Sequence, residues 1–311
     1  MIGDKTKESS LARRLRGLVP VAPTPLNADE SLDIEGVERL AAFVLQYPFS
    51  GLWALASAGE DENLPEDIIA ACTRHLVRCF GGKIPVLVKT CRPGTRETIE
   101  RTKRLAGLGI DAAIVHFQHK RLGTEHARQY FNEVADHSPV PILIYHNANR
   151  GAQLDMGLML ELSHHPNIAG MKAGGSDIAE LQRLCLFAAP DFAVMTAGGG
   201  QILAGLAMGA AGHTAIPLLA FPERAFAVYD YVMAGRLEGA RRQQKVINEF
   251  IGRMPKLENR EVHGEVKCVL EIRGVLQRHV SAPFIAATEA QKAAFAELIE
   301  ELDLFGMGDE C

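Results

Sequence analysis

The chain lacks the marks of several protein classes. None of its six cysteines forms a CxxC pair, and no Cys/His cluster has zinc-site spacing. Cys72, Cys79, Cys91, Cys185, Cys268 and Cys311 therefore read as reduced thiols of a cytoplasmic protein. Cys91, at the end of an apolar run, is also a candidate nucleophile. Positive charge is not in excess: the formal net charge of −5 argues against nucleic acid or another polyanion as partner. No apolar run approaches the roughly 18 residues of a membrane span, so no membrane partner is expected. The opening MIGDKTKESSLARRLRG has basic residues but no apolar core behind them. Residues 1–16 thus read as a mobile tail rather than a secretory signal. GxGxxG, HExxH and low-complexity linkers are all missing.

What remains is ordinary globular composition, 47% hydrophobic and 23% charged, over 311 residues. That length allows one large α/β barrel or two smaller domains. Short apolar runs recur through most of the chain: GLVPVAP, GLWALA, IPVLVKT, AAIVHF, VPILIYHN, IAGMKAG, FAVMTAGG and GHTAIPL. They are almost continuously apolar, as strands covered on both faces should be. Between them, stretches such as Leu32 to Tyr47, Pro65 to Phe80 and Thr95 to Leu108 have helical spacing. Capping chemistry opens several of them, at Asp33, Thr95 and Ser176. Strand and helix alternating eight times predicts an α/β fold, the (β/α)8 TIM barrel, over residues 17–235. A doubly wound sheet is the rival, and the missing phosphate turn counts against it. Helical segments at Pro222 to Met254, Glu265 to Arg278 and Thr288 to Leu304 extend past the eighth unit. Residues 236–311 therefore form a C-terminal helical appendage, whose expected use is packing or subunit contact.

Barrels of this kind do their chemistry at the C-terminal ends of the strands. The polar residues there are Ser57, Lys89, Thr90, His116, Tyr145, His146, Lys172, Thr196, His213 and Thr214. A lysine walled by apolar groups loses its charge readily, and a neutral amine is what a Schiff base with a ketone requires. Lys89 and Lys172 both qualify, and position alone does not choose between them. Tyr145 ends an apolar run, which aims its hydroxyl at the mouth as a proton shuttle. Zinc held by His116, His146 and His213 is an alternative. Strand alternation opposes it, because Tyr145 and His146 point to opposite faces. The turn TAGGGQ, Thr196 to Gln201, could offer N–H groups to a phosphate, but no Lys or Arg adjoins it, which favours a non-phosphorylated substrate.

Four stretches carry a resemblance: VPVAPTPLNADESLD, ASAGEDENL, YHNANR and GMKAGGSDI. In their order and spacing the chain resembles the dihydrodipicolinate synthase / N-acetylneuraminate lyase superfamily, from about Leu18 to Leu304. The resemblance implies a barrel with a helical appendage, assembled as a homo-oligomer, a dimer or a tetramer. It implies imine chemistry on pyruvate or another 2-keto acid, with no metal and no organic cofactor. The family's sixth-strand lysine matches Lys172, and its fifth-strand tyrosine matches Tyr145. Its carboxylate-holding loop matches Ala56-Ser57-Ala58-Gly59-Glu60, with Ser57 and the Ala58 N–H as carboxylate binders.

Several positions depart from that pattern. Ala58 replaces a hydroxyl, and Phe117 stands where the synthases keep a relay tyrosine, leaving His116 as a substitute. Lys89 occupies the usual Gly-Thr-Gly segment, where it could bind a carboxylate or lower the pKa of Lys172 by repulsion. Ala173 replaces an acidic residue, and Ala197-Gly198-Gly199 a Gly-Asp-Asp-like turn. Arg150 resembles a synthase feature and Ala148-Asn149 a dehydratase one. The leading expectation is an aldolase or dehydratase acting on a keto-deoxy sugar acid, with Lys89, Arg150, His116 and Thr214 toward the specificity end. Condensation of the 4-hydroxy-tetrahydrodipicolinate synthase type, a non-catalytic keto-acid-binding barrel and a metal-dependent lyase are the alternatives.

Overall fold

The computed structural model describes residues 10–147, 150–174, 177–258 and 262–306. Its eight strands are β1 (Gly17–Pro20), β2 (Leu52–Ala54), β3 (Val86–Lys89), β4 (Ala112–Val115), β5 (Ile142–Asn147), β6 (Ile168–Gly174), β7 (Ala193–Ala197) and β8 (Gly212–Ala215). Each pairs in parallel with its neighbour, in the order β1-β8-β7-β6-β5-β4-β3-β2. A parallel bridge from Val21 to Trp53 draws β1 and β2 together and completes the ring. Parallel strands need long crossovers, and helices supply them. These are α2 (Ile34–Val44), α3 (Glu66–Phe80), α4 (Thr95–Ala106), α5 (Thr124–His137), α6 (Met156–Leu162), α7 (Ile178–Phe187), α8 (Ile202–Ala207) and α9 (Pro222–Met233), after a short α1 (Leu11–Arg14). The fold is the (β/α)8 barrel. Helices α10 (Leu237–Arg253), α11 (His263–Ile272) and α12 (Glu289–Glu301) follow it.

Local chemistry explains most boundaries. Asp33 caps α2 through the Gly36 N–H at 2.8 Å, and Thr288 opens α12 in a capping box with Gln291. Two expected caps differ. Gly94, not Thr95, precedes α4, and its lack of a side chain leaves that end without a side-chain cap. Asp177 caps α7 by accepting from Glu180 N–H; Ser176 lies outside the described residues. The stretch expected as one helix from Pro222 breaks between α9 and α10, where Gly235 takes φ 72°. Residues 10–16 do not trail as a tail. Leu15 is fully buried, and Arg13 and Arg14 reach Asp191 and Asp111 at 3.1 and 3.6 Å. Residues 1–9 and Cys311 lie outside the described residues. Among the described residues no helix is long and apolar enough to cross a membrane.

Candidate active site

Strand β6 carries Gly170, Met171 and Lys172. A side chain at Gly170 would place its Cβ 2.4 Å from the Ala193 carbonyl oxygen, so the close pairing of β6 with β7 requires glycine there. Register sets Lys172 beside Tyr145 on β5 and Met195 on β7. Both Lys172 and Tyr145 line a cavity of about 750 Å³ at the C-terminal mouth of the barrel. The Lys172 Nζ lies 5.0 Å from the ring centroid of Trp53 and 5.0 Å from that of Tyr145. The two rings meet edge to face at 5.9 Å. Lys172 keeps some surface, and that surface opens into the cavity. Burial of the amine, then the positive charge of Arg150, brings its pKa down to about 8. No carboxylate among the described residues pairs with it.

The Tyr145 hydroxyl accepts a hydrogen bond from the Asn147 amide at 3.2 Å. Residues two apart on a strand share a face, so Asn147 reaches the same side as Tyr145. Ser57 and Ala58 sit on a 3-10 turn, Ser57–Gly59, after β2, and both line the cavity. Two buried cations anchor the residues that follow this turn. Glu60, with φ 63°, pairs with Lys267 of α11 at 2.5 Å and accepts from the Ser281 N–H and hydroxyl at 2.6 and 2.8 Å. Asp61 accepts from Lys89 at 2.9 Å. The TAGGGQ turn also borders the cavity, with Gly198 at φ 90°.

Other sequence candidates lie elsewhere. Lys89 does not line the cavity: Asp61 and Glu62 hold its amine, each at 2.9 Å. Burial opposes its charge, but Asp61 and the neighbouring acidic groups prevail and push the pKa to about 12. The groups that act on Lys172 are its burial and Arg150, not Lys89. Thr214 does not reach the cavity either. It is fully buried beside Val19 and Ala197 in the strand register, and the next residue, Ala215, forms the wall. His116 and Arg150 border a second hollow of about 570 Å³ with Arg92 and Lys120, and Ser57 belongs to both hollows. The His116 ring packs 5.0 Å from the Tyr145 ring, and burial, then Lys89 and Arg150, hold it neutral with a pKa of about 4.

The three histidines do not converge. His213 is bonded to the Thr196 hydroxyl at 2.7 Å, and His146 is buried away from solvent. Among the described residues no group of three His, Cys, Asp or Glu side chains has a metal-binding arrangement. Cys91 is fully buried, which keeps its thiol protonated and removes it as a nucleophile. Phe117 packs on Tyr130 at 5.2 Å, and Ala148-Asn149 fall outside the described residues.

Sequence reasoning missed three parts of the site. Trp53, the chain's one tryptophan, lay within a run read only as a strand. Asn147 was readable from the period of two that places it with Tyr145. Glu265 and Lys267 come from the appendage, whose α10 and α11 roof the cavity through residues such as Asn248 and Val266. Nothing local in the sequence ties those helices to the mouth.

The fold and these motifs have relatives. Residues 14–302 match the family model described as the dihydrodipicolinate synthetase family. The chain is 32% identical over 302 residues to a probable mitochondrial 4-hydroxy-2-oxoglutarate aldolase of Emericella nidulans, covering 92% of this chain and 96% of that one. It is 28% identical over 288 residues to an N-acetylneuraminate lyase of Rhizobium meliloti, covering 92% and 95%. Its fold matches the pyruvate complex of YagE, a prophage protein of the dihydrodipicolinic acid synthase family from E. coli K12. That match has a TM-score of 0.85 and 24% identity, covering 93% and 99% of the two chains. With its family model spanning nearly all of the barrel and the appendage, this chain belongs to the dihydrodipicolinate synthetase family.

Proposed function

We propose that this protein is a lyase that breaks the bond one carbon removed from the carbonyl of a 2-keto acid, C3–C4 or C4–O, through an imine on Lys172. One observation carries the reading: an unpaired lysine with a pKa of about 8 opens into a cavity beside a tyrosine hydroxyl. With that pKa roughly one amine in ten is neutral at pH 7, against about one in several thousand for an ordinary lysine. The neutral nitrogen attacks the keto carbon, a C–N bond forms, and the keto oxygen leaves as water after two protonations. Tyr145 is the group placed to carry those protons, with its hydroxyl oriented by Asn147. The Ser57 hydroxyl and Ala58 N–H are the proposed carboxylate ligands. The cationic imine then takes up the electron pair of the C3–C4 bond as an enamine, while the C4 hydroxyl gives up its proton and C4 departs as an aldehyde. In the dehydration variant, loss of a C3 proton forms the enamine, which expels the C4 hydroxyl as water once that oxygen is protonated.

This sink is the imine itself, so the reading requires neither metal nor organic cofactor; activity should survive exhaustive chelation. Cleavage is the direction named for the aldolase and the lyase among the relatives, while the 4-hydroxy-tetrahydrodipicolinate synthases among them are named for condensation. The reading therefore favours cleavage on the loss of the relay tyrosine at Phe117 rather than on the relatives' names. A keto-deoxy sugar acid is the substrate class we favour. Arg150 and His116 would act from the second hollow on groups beyond the reacting carbons. Self-association is supported by Ile178, Leu186 and Phe187, each more than half exposed on α7. The described cysteines, all unpaired, fit a reducing cytoplasmic setting. Borohydride reduction in the presence of pyruvate, followed by peptide mapping, tests the proposal. An adduct on the Lys172 peptide supports it, and an unmodified protein across a panel of keto acids refutes it.

A further inference from the structure

Strand β2 lies across the barrel from β6, four strands away in either direction round the ring. A side chain on β2 must be large to reach Lys172, and Trp53 is. It is 1% exposed and lines the cavity. Its ring centroid lies 5.0 Å from Nζ, within the roughly 6 Å over which a cation is drawn to an aromatic face. The indole Nε1 is buried with no hydrogen-bond partner among the described residues. Leucine or phenylalanine would fill this place without a stranded donor, so the indole serves here by its ring. We infer that Trp53 favours the protonated imine over the free ammonium at Lys172, by keeping water from the amine and presenting a ring face to the cation that the keto acid creates. This rests on the imine reading and adds a residue to it.

The two cations differ in what they ask of their surroundings. An ammonium is compact, strongly hydrated and carries three N–H donors. Against two aromatic rings it loses water and gains no acceptor to replace it. When the amine and the ketone condense, water leaves and the nitrogen keeps one N–H. The positive charge is then shared with the former keto carbon. That broader cation needs less water, while the ring face attracts it as it would any cation. The charged and titratable groups around the amine supply no counter-ion. Burial and Arg150 act on Lys172 itself, and neither is acidic. His213, on β8, is held neutral by burial and then by Lys172, at a pKa of about 3. Tyr145, on β5, has its own ring centroid at 5.0 Å and its hydroxyl assigned to proton transfer. Trp53 has no such second duty.

Trp53 is the chain's one tryptophan, so the unmodified protein carries its own reporter. Pyruvate should quench the indole emission, because an electron-poor protonated imine beside the ring accepts an electron from its excited state. Half-quenching should fall at the pyruvate concentration that half-saturates borohydride trapping, and Lys172→Met should abolish the response. Two variants then measure the effect. Trp53→Leu should raise half-saturating pyruvate by about tenfold as the ring face is lost. It should also move the pH midpoint of trapping about one unit above 8, as water reaches the ammonium. Trp53→Phe, which keeps a ring, should stay within about threefold of the unmodified protein. Trapping on Lys172 with unchanged emission overturns this inference and leaves the imine chemistry standing. So does a Trp53→Leu protein of lowered stability whose half-saturation and pH profile have not moved, since that is a packing role alone. If Trp53→Leu does not fold, the emission of the unmodified protein decides. No adduct with pyruvate or any other keto acid overturns both readings.

Discussion

Lys89 and Lys172 both sit near the C-terminal ends of barrel strands with most of their surface removed from water, yet their chemistry is opposite. Lys89 pairs with Asp61 and Glu62 and stays an ammonium, its pKa near 12. Lys172 has two aromatic rings and no carboxylate, and its pKa is near 8. Burial disfavours charge at both sites, so the neighbours decide the outcome. A strand-end lysine becomes a nucleophile only where the protein withholds a counter-ion. The same contrast has a structural side. Lys89 helps to fix the segment after the Ser57 turn, which the Glu60–Lys267 pair fixes from the appendage. On the proposed reading one lysine positions the site and the other reacts in it.

Substituting the two lysines separately breaks the comparison most sharply. Lys172→Met should lower turnover of a keto-acid substrate by at least about 10³-fold and abolish trapping. Lys89→Met should leave trapping on Lys172 but strand Asp61 without its nearest cation. Loss of one partner of a buried pair costs about 3–5 kcal/mol, read as a fall in the unfolding midpoint. Tyr145→Phe should lower kcat by about 10²–10⁴-fold in steady-state assays, since only the proton carrier is lost.

The pH dependence sharpens the comparison further. Trapping on Lys172 should rise with pH and level off above about 8, as the amine loses its proton. The stability contributions have opposite signs. The folded pKa of Lys172 lies below the usual 10.5, so the unfolded chain binds more protons between the two values and stability rises with pH from about 8 to 10.5. The folded pKa of Lys89 lies above 10.5, so its contribution is complete below that and is lost as pH rises through about 12. Urea titrations across this range, with Lys172→Met as control, separate the two slopes. The smallest effect concerns the carboxylate loop. Ser57→Ala should raise the half-saturating pyruvate concentration by about two- to tenfold, the worth of one hydrogen bond.

The barrel was legible because strands buried on both faces must be apolar along their length, and GLWALA and VPILIYHN are. Lys172 and Tyr145 were legible as polar residues ending such runs, but the runs alone did not choose Lys172 over Lys89; the resemblance of GMKAGGSDI to the family's sixth-strand motif did. The fate of Lys89 was not legible, because its partners Asp61 and Glu62 come from a loop about 27 residues earlier in the chain. Spacing along one strand carries no record of them. Thr214 misled because one step along a strand separates the packed interior from the cavity wall, and the last strand residue is ambiguous by that one step. Glu265 shows a third limit. Glu265 follows Lys172 by 93 residues, and only folding brings helix α11 to the barrel mouth.

The most direct measurement is to trap the keto acid covalently and locate it. Pyruvate and borohydride should add one reduced imine per chain, on the peptide that carries Lys172, with Lys89 unmodified. An adduct on Lys89 alone, or a chain that stays unmodified across the keto acids, would contradict the account.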